Sequence, residues 1–425
     1  MASSHFMLTM GKKVIQEISI NLTEKKLKKK RNRRSLTRHV RIMLMDYGNE
    51  SLKKHKKLQG KIEIKNKFGE IRNRDDLSIA YTPGVAAVSS HLAANPKDAK
   101  NYSIKGNAIA VVSDGSAVLG LGNIGPLAAL PVMEGKALLL KEFAGVDAYP
   151  IVLNTQNTKE IIATVKAISP TFGGINLEDI SAPRCFEIEE RLIDELDITV
   201  MHDDQHGAAI TVLAAVINSL RLTKKKKGGI HVVISGAGAA GTATAKLLRS
   251  FGVKNILMTD SKGIISKARL INLNSEKIKL LEFINPENLE GGLEVAMKSA
   301  DIFIGVSAPG ILTATMIRSM AEKPVVLAMA NPIPEIMPEV AKAAGAFIVG
   351  TGRSDFPNQI NNVLAFPGIF RGALDNGVKK ITEKIKLAAA YAIADYVPAK
   401  KLNPNNILPS PLDKEVAKAV AGVIK

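Results

Sequence analysis

The sequence predicts an α/β protein of two domains, the second of which contains a doubly wound parallel sheet. Strand patterns alternate with helix patterns from about residue 107 to 370, an alternation that favours parallel sheets. The chain has 425 residues, more than one hydrophobic core usually organises. A glycine-rich turn at 236–241 joins a buried strand to a helix, as doubly wound nucleotide-binding sheets require.

Residues 1–67 are strongly basic, with 19 Lys and Arg against 5 Asp and Glu, so much of the net charge of +18 is local. The densest part, 24–41, has no aromatic residue on which a base could stack. We therefore expect residues 1–46 to be a disordered basic extension and expect no nucleic-acid partner. A nucleic-acid arm, an anionic-membrane arm and a targeting segment are the alternatives.

Two absences in the sequence bear on the compartment. No run of 18 uninterrupted apolar residues occurs, so we expect no membrane-spanning helix and no membrane partner. Cys185 is the one cysteine, which excludes an internal disulfide framework and suits a reducing compartment. The sequence thus predicts a cytoplasmic protein.

The first half of the chain alternates strand and helix patterns. It opens at 46–64 with a predicted helix followed by a short strand. Further strands are predicted at 107–114, 147–154, 174–179 and 197–204, and helices at 131–145, 158–169, 185–196 and 206–222. These elements predict an N-terminal α/β domain over 47–205.

After the polar break at 224–229 the alternation resumes. Apolar strands are predicted in GIHVVIS, NILMTD, DIFIGVS, PVVLAMANP and AFIVGT. Their spacing predicts a Rossmann-type domain over 206–380. An amphipathic helix at 381–397 opens a C-terminal helical segment, 381–425, which we expect to pack back on the body.

Two glycine loops have the spacing of a dinucleotide-binding turn. The second loop lies between a strand and a helix, and Asp260 ends the next strand 24 residues after Gly236. Its backbone amides can approach a pyrophosphate, and Asp260 can accept hydrogen bonds from ribose hydroxyls. The predicted cofactor loop comprises Gly236, Gly238, Ala239, Ala240 and Gly241. The first loop, in 118–126, starts several residues after its strand, so we expect a structural turn or a substrate-pocket wall.

Two acidic pairs, Glu178-Asp179 and Asp203-Asp204, close neighbouring predicted strands. Ligands gather at the carboxyl ends of strands in open α/β sheets. Carboxylates clustered there repel one another unless a cation or a proton neutralises them, and oxygen ligands suit Mg²⁺ or Mn²⁺. The sequence therefore favours a metal site, and helix N-capping is the alternative.

Several motifs, taken in order, resemble those of the malic enzyme family in its short bacterial form. They extend from about residue 47 to the C-terminus and leave out the basic extension. They are YTPGVA (81–86), VVSDGSAVLGLGNIGP (111–126), MEGKALLLKEFAGVDAYPI (133–151), INLEDISAPRCFEIE (175–189), HDDQHGAA (202–209), the loop at 236–241, MANPIPEI (329–336) and NQINNVLAFPGIFRGALD (358–375).

This resemblance implies oxidative decarboxylation of L-malate to pyruvate and CO₂ with reduction of NAD(P)⁺. It assigns the general base to Lys136, the general acid to Tyr81 and a supporting carboxylate to Asp203. It assigns metal ligation to Glu178, Asp179 and Asp204, and substrate contacts to Asn331, Asn361 and Asn362. It also implies a homodimer.

The resemblance leaves three points open. Ala117 stands where the larger eukaryotic enzymes have an arginine that holds a malate carboxylate, so substrate anchoring must differ here. Asp260 favours NAD, whereas Lys262 could accept the 2′-phosphate of NADP. A malolactic enzyme and a simple 2-hydroxyacid dehydrogenase on the same scaffold remain alternatives.

Overall fold

The computed structural model describes residues 47–118 and 120–425, so the predicted disordered extension at 1–46 lies outside it. Residues 47–60 belong to one compact unit and residues 61–425 to another. The first contains helix α1 (Tyr47–Leu58), as predicted. The short strand predicted to follow it does not form. Alternating Ile62 and Ile64 suggest a strand, but Ile64 is 88% exposed and no strand of the described chain pairs with this segment.

The first sheet contains four parallel strands in the order β2–β1–β3–β4. Leu177, the last residue of β3, pairs with His202, the last residue of β4. The acidic pairs that follow these two strands are therefore neighbours at one edge of the sheet. The strands are β1 (Ala108–Ser113), β2 (Asp147–Val152), β3 (Gly174–Leu177) and β4 (Thr199–His202).

Helices connect and flank these strands. They are α2 (Arg74–Ala80), α3 (Val85–Ala94), α4 (Ala99–Tyr102), α5 (Pro126–Ala144), α6 (Thr158–Ile168), α7 (Arg184–Glu195) and α8 (Asp203–Thr223). Helix α5 begins earlier than predicted, because Pro126 is at its first position, where a helix needs no backbone donor. It ends at Gly145, whose φ of +65° suits a glycine cap.

Helix α8 is the central core helix. It begins at Asp203, earlier than predicted, so the second acidic pair both follows a strand and opens a helix. Its apolar residues pack in one core with residues of both sheets, including Ile109 of β1 and Ile234 of β5 (His231–Ser235). Among the described helices it alone is long and apolar enough to cross a membrane, but 72% of its most apolar stretch is buried within the protein.

The second sheet contains six strands in the order β10–β9–β8–β5–β6–β7. Its strands are parallel except for the short β7, which forms a hairpin with β6 that the sequence pattern did not predict. The strand order reverses direction between β5 and β8, where a doubly wound sheet binds its ligand, so the predicted fold class is confirmed. The other strands are β6 (Asn255–Asp260), β7 (Gly263–Ile264), β8 (Ile302–Gly305), β9 (Val325–Ala328) and β10 (Ile348–Thr351).

The second half contains the remaining helices. They are α9 (Ala239–Phe251), α10 (Ser275–Leu280), α11 (Leu293–Ala296), α12 (Ala314–Arg318), α13 (Pro338–Ala343), α14 (Phe366–Asn376), α15 (Glu383–Asp395) and α16 (Glu415–Ala421). Helices α14 and α16 pack very closely. A Cβ at Gly368 would lie 2.5 Å from the carbonyl oxygen of Ala417, and one at Gly372 would lie 2.6 Å from that of Ala421.

Candidate active site

The carboxyl ends of β3 and β4 gather four carboxylates and one lysine. Glu178 and Asp179 follow β3, and Asp203 and Asp204 open α8 directly after β4. Lys136 reaches the same place from α5. One oxygen from each of Glu178, Asp179 and Asp204 lies within 4.8 Å of the others, an arrangement that could hold a divalent cation.

The backbone around Asp179 fixes its position beside Asp204. Its φ is +53°, in the left-handed region that aspartate tolerates better than most residues. In this conformation its N–H donates to Oδ2 of Asp204 at 2.7 Å, and its carbonyl accepts from the N–H of Ala117 at 2.9 Å. The loop after β3 is thereby joined both to α8 and to the loop after β1.

Lys136 is buried among the carboxylates. Its Nζ forms an ion pair with Asp203, lies 3.0 Å from Oε1 of Glu178, and stands 4.4 Å from the ring centroid of Phe366. Burial alone would lower its pKa, but the charges of Asp203, Glu178 and Asp204 outweigh burial and raise the pKa. Without a metal ion, Lys136 is therefore a cation.

The surroundings favour the charged form of Lys136 but the neutral forms of three of the carboxylates. Burial, reinforced by the charge of Asp204, raises the pKa of Asp179 to about 7 and raises that of Glu178 well above its ordinary value. Burial also raises the pKa of Asp203, despite its pairing with Lys136. Among the described residues, Oδ2 of Asp179 and Oδ1 of Asp203 have no hydrogen-bond partner. Such buried, unpartnered oxygens fit a site built for a cation.

The three predicted substrate asparagines occupy different environments. Asn362 joins the cluster, because its Nδ2 donates to Oδ2 of Asp203 at 2.5 Å. The side chain of Asn361 instead accepts from the N–H of Val363 at 3.0 Å and caps a short turn. The carbonyl of Asn331 lies against the first glycine loop, where a Cβ at Gly120 would be 2.9 Å from it.

Tyr81 lies outside the cluster. Its side chain is 67% exposed, and no hydrogen bond among the described residues joins it to Lys136 or to the carboxylates. It follows α2, and neither α2 nor the nearby α3 buries any residue. The structure therefore does not bring Tyr81 together with the residues predicted to share its reaction.

The second glycine loop has the geometry of a dinucleotide turn. Gly236 has a φ of +112°, and a Cβ there would lie 2.5 Å from the carbonyl oxygen of Val306, directly after β8. A Cβ on Gly241 would collide with the carbonyl of Gly236, whereas Gly238 faces open space. These are the three roles that glycines have in such a turn, and Ala239 and Ala240 are the first two residues of α9.

Asp260 ends β6 and is held by two cations that the sequence analysis missed. Its Oδ1 accepts from Nη2 of Arg269 at 2.8 Å and from the backbone N–H of Lys262 at 2.9 Å, and its Oδ2 accepts from Nζ of Lys277 at 2.7 Å. Burial would raise the pKa of Asp260, but the hydrogen bonds from Lys277 and Arg269 lower it. Lys262 itself is exposed and contacts Asp260 through its backbone.

Two further charged residues near the cluster were also missed. Arg184 lies 3.1 Å from Oδ2 of the buried Asp114 and donates to Oγ of Ser116 at 3.0 Å, beside Ala117. Glu189 is a buried carboxylate on α7. A detectable signal existed for Glu189, because a charged residue on the buried face of an amphipathic helix needs a specific partner.

Comparison with known proteins identifies relatives along almost the whole described chain. The family model for the malic enzyme N-terminal domain matches residues 59–193, and that for the malic enzyme NAD binding domain matches residues 205–424. A bifunctional malic/malolactic enzyme of Bacillus subtilis is 55% identical over 380 residues, which cover 89% of this chain and 92% of that protein. An NAD-dependent malic enzyme of Geobacillus stearothermophilus is 56% identical over 361 residues, which cover 85% and 75%.

Solved structures give the same result. The crystal structure of the NAD-dependent malic enzyme of Thermotoga maritima superposes with a TM-score of 0.85 at 49% identity, covering 88% of this chain and 98% of that one. Other relatives, at 43% to 49% identity, are named NADP-dependent malic enzymes.

Proposed function

The chain belongs to the malic enzyme family, and from that premise we propose that it oxidatively decarboxylates L-malate to pyruvate and CO₂. The reaction reduces NAD(P)⁺ and depends on Mg²⁺ or Mn²⁺. The observation that carries the proposal is the buried cluster in which Lys136 lies among the carboxylates of Glu178, Asp179, Asp203 and Asp204.

Glu178, Asp179 and Asp204 would hold the divalent ion. The converging oxygens of the three residues, the raised pKa values of Glu178 and Asp179, and the unpartnered Oδ2 of Asp179 support that assignment. A bound divalent ion supplies Lewis-acid polarisation of the substrate oxygens and a sink for electron density as CO₂ departs.

Lys136 would accept the hydroxyl proton of malate as hydride leaves C2. It can do so only as a neutral amine, and the surrounding negative charge opposes that state. A divalent cation held by Glu178, Asp179 and Asp204 would offset the charges of Glu178 and Asp204, which with Asp203 raise the pKa of Lys136. Asp203 orients the amine through its Oδ2, and the same oxygen accepts a hydrogen bond from Nδ2 of Asn362.

We also propose a homodimer in which a second copy covers the surface around Tyr81. Leu77, Ile79 and Val85 are exposed on the short helices α2 and α3, which bury nothing themselves. Helices this short are marginal in water unless they pack on something. Protonation of the enolate carbon by Tyr81 would therefore depend on dimer formation. Sedimentation of wild type and of Tyr81→Phe would show whether the variant still forms the dimer, and so would separate loss of the dimer from loss of the proton donor.

For the cofactor, we propose that NAD is preferred over NADP. Gly236, Gly238 and Gly241 would admit the pyrophosphate, and the carboxylate of Asp260 would accept from the ribose hydroxyls. The preference should be small, because Arg269 and Lys277 offset the charge that would otherwise repel a 2′-phosphate.

One assay tests the reaction. Purified protein with L-malate and Mn²⁺ should give equal amounts of reduced cofactor and pyruvate, faster with NAD⁺ than with NADP⁺, and a chelator should stop it. Reduced cofactor without pyruvate would indicate a simple dehydrogenase. Lactate without net cofactor reduction would indicate a malolactic enzyme, the second candidate, because the relative from Bacillus subtilis is named for both activities.

A further inference from the structure

Glu189 is a charged residue in the protein interior that the reaction above does not use. It lies on α7 and is 5% exposed. Its carboxylate accepts three hydrogen bonds: from the backbone N–H of His202 at 2.7 Å, from Nε2 of Gln205 at 2.9 Å and from Nε2 of His206 at 3.0 Å. Every one of these donors belongs to the same short turn.

That turn, 202–206, consists of the last residue of β4 and the first turn of α8, and it carries Asp203 and Asp204 between the donors His202 and Gln205. A carboxylate that binds the turn both before and after Asp203 and Asp204 restricts the direction in which these two acids point. Burial would raise the pKa of Glu189, but His206 and the other hydrogen bonds lower it to about 2. The carboxylate is therefore ionised at neutral pH and accepts all three bonds.

The helix that carries Glu189 is itself tied to the other half of the cluster. Helix α7 begins at Arg184, shortly after Asp179, and the Arg184 guanidinium pairs with Asp114 at the end of β1. Glu189 thus connects the segment that follows β3 to the segment that follows β4. Simple packing does not require a carboxylate here, because the neighbouring buried positions of α7, Cys185, Ile188 and Leu192, are apolar.

We propose that Glu189 is a positioning residue that locks the 202–206 turn, so that Asp203 stays paired with Lys136 and Asp204 stays beside Glu178. This inference rests on the proposed function of the cluster. Residues outside a metal's direct ligands commonly change metal affinity 10- to 100-fold, roughly, when they orient those ligands.

The same helix offers a matched control. A cavity of about 420 Å³ lies beside α7 and is lined by Glu189, Gln205 and His206. Glu190 follows Glu189, is exposed, and lines this cavity too. Glu190→Gln therefore removes a charge from that cavity without touching the turn. Glu189→Gln keeps the shape of the side chain but replaces one acceptor oxygen with a donor, which then faces donors on the turn.

The experiment measures Mn²⁺ binding to metal-free protein by electron paramagnetic resonance, together with kcat, KM for malate and NADH affinity by fluorescence. We expect Glu189→Gln to weaken Mn²⁺ binding about 10- to 100-fold and to lower kcat, with NADH affinity unchanged. Glu190→Gln should match wild type in all four. Wild-type Mn²⁺ affinity and kcat in a folded Glu189→Gln protein would overturn the assignment.

Two further measurements keep the outcome decisive. If Glu189→Gln does not fold, Gln205→Ala removes one donor without changing a charge and should weaken Mn²⁺ binding several-fold; unchanged binding there would also overturn the assignment. Failure of the proposed function looks different, because the wild-type protein itself would then neither bind Mn²⁺ tightly nor turn over malate.

Discussion

In both sheets, acidic residues stand at the carboxyl ends of parallel strands: after β3 and β4 in the first sheet and at the end of β6 in the second. The net charge around these acids differs in sign between the two sheets. After β3 and β4, four carboxylates lie around one cation of the described chain, Lys136. After β6, the single carboxylate Asp260 is shared by Arg269 and Lys277. The edge after β3 and β4, with its four carboxylates, has an excess of negative charge and is called the negative edge. The edge after β6, with Arg269 and Lys277 around Asp260, has an excess of positive charge and is called the positive edge.

The pKa values follow the same division. The pKa of Asp179 is raised to about 7 by burial and by neighbouring carboxylates, whereas the pKa of Asp260 is lowered by the hydrogen bonds of its two cations despite partial burial. The strand-end acid is common to both sites, so its position in the fold does not determine the ligand. The neighbouring residues differ, and their charges suit one edge to the proposed metal cation and the other to the proposed anionic nucleotide.

Removing the single cation from the negative edge should have the largest effect. Lys136→Ala should lower kcat about 10²- to 10⁴-fold, because it removes the proposed proton acceptor and leaves Asp203 without its partner. NADH affinity, measured by fluorescence, should be unchanged, since the nucleotide loop lies on the other sheet. Near-normal turnover would remove Lys136 from its role.

Removing one carboxylate should act on the metal rather than on the proton. Asp204→Asn should weaken Mn²⁺ binding by about 100-fold or more, beyond the range typical of residues that only orient ligands. Asp197→Asn is the control, because Asp197 is exposed and, among the described residues, its one ion pair is with Lys379 on the surface. An Mn²⁺ titration that Asp204→Asn leaves unchanged would contradict the ligand assignment.

The negative edge should also make the metal-free protein less stable as pH rises. A raised pKa means that folded Asp179 keeps a proton which the unfolded chain, with an ordinary pKa near 3.8, has lost. The stabilisation is complete below about pH 4 and is lost as pH rises towards 7, by at most about 1.4 kcal/mol per pH unit for each extra proton.

Urea unfolding at pH 5, 6 and 7 checks this dependence. The free energy of unfolding of the metal-free wild type should fall faster across that range than that of Asp179→Asn, which cannot titrate there. Saturating Mn²⁺ should flatten the wild-type curve, because the ion replaces the proton. Parallel curves for the two proteins would show that Asp179 does not hold the extra proton.

The two glycine loops show how much the sequence could reveal. The local sequence pattern was sufficient to predict the geometry of the second loop. Its strand, turn, helix and following acid lie within 30 residues, and each has a fixed position in such a turn. It was not sufficient for the first loop. Gly120 has a φ of +75° and borders the carbonyl of Asn331, some two hundred positions later. No spacing rule connects two such distant segments.

The same limit explains the residues that were missed. The fold class and the neighbouring acidic pairs follow from periodicity and from the rule that parallel strands end at one edge. Arg269, Lys277 and Glu189 act through contacts that only the folded chain creates. Glu189 alone left a local sign, a charge on the apolar face of α7.

The smallest expected effect tests the positive edge. Among the described hydrogen bonds, the side chain of Lys277 has Asp260 as its one partner. Arg269 also donates to the carbonyls of Gly263 and Ile264 and so supports the hairpin. Lys277→Ala should therefore weaken NADPH binding about 10-fold, or about 1.4 kcal/mol, by removing a phosphate partner and freeing the charge of Asp260.

NADH binding should change much less in Lys277→Ala, because ribose hydroxyls need the carboxylate and not the amine. Lys279→Ala is the matched control on α10, since Lys279 pairs with Glu276 instead. Fluorescence titrations with NADH and with NADPH measure the ratio of the two dissociation constants directly. A ratio unchanged by Lys277→Ala would mean that Asp260 alone sets the preference, and the contrast between the two strand ends would then rest on the metal edge only.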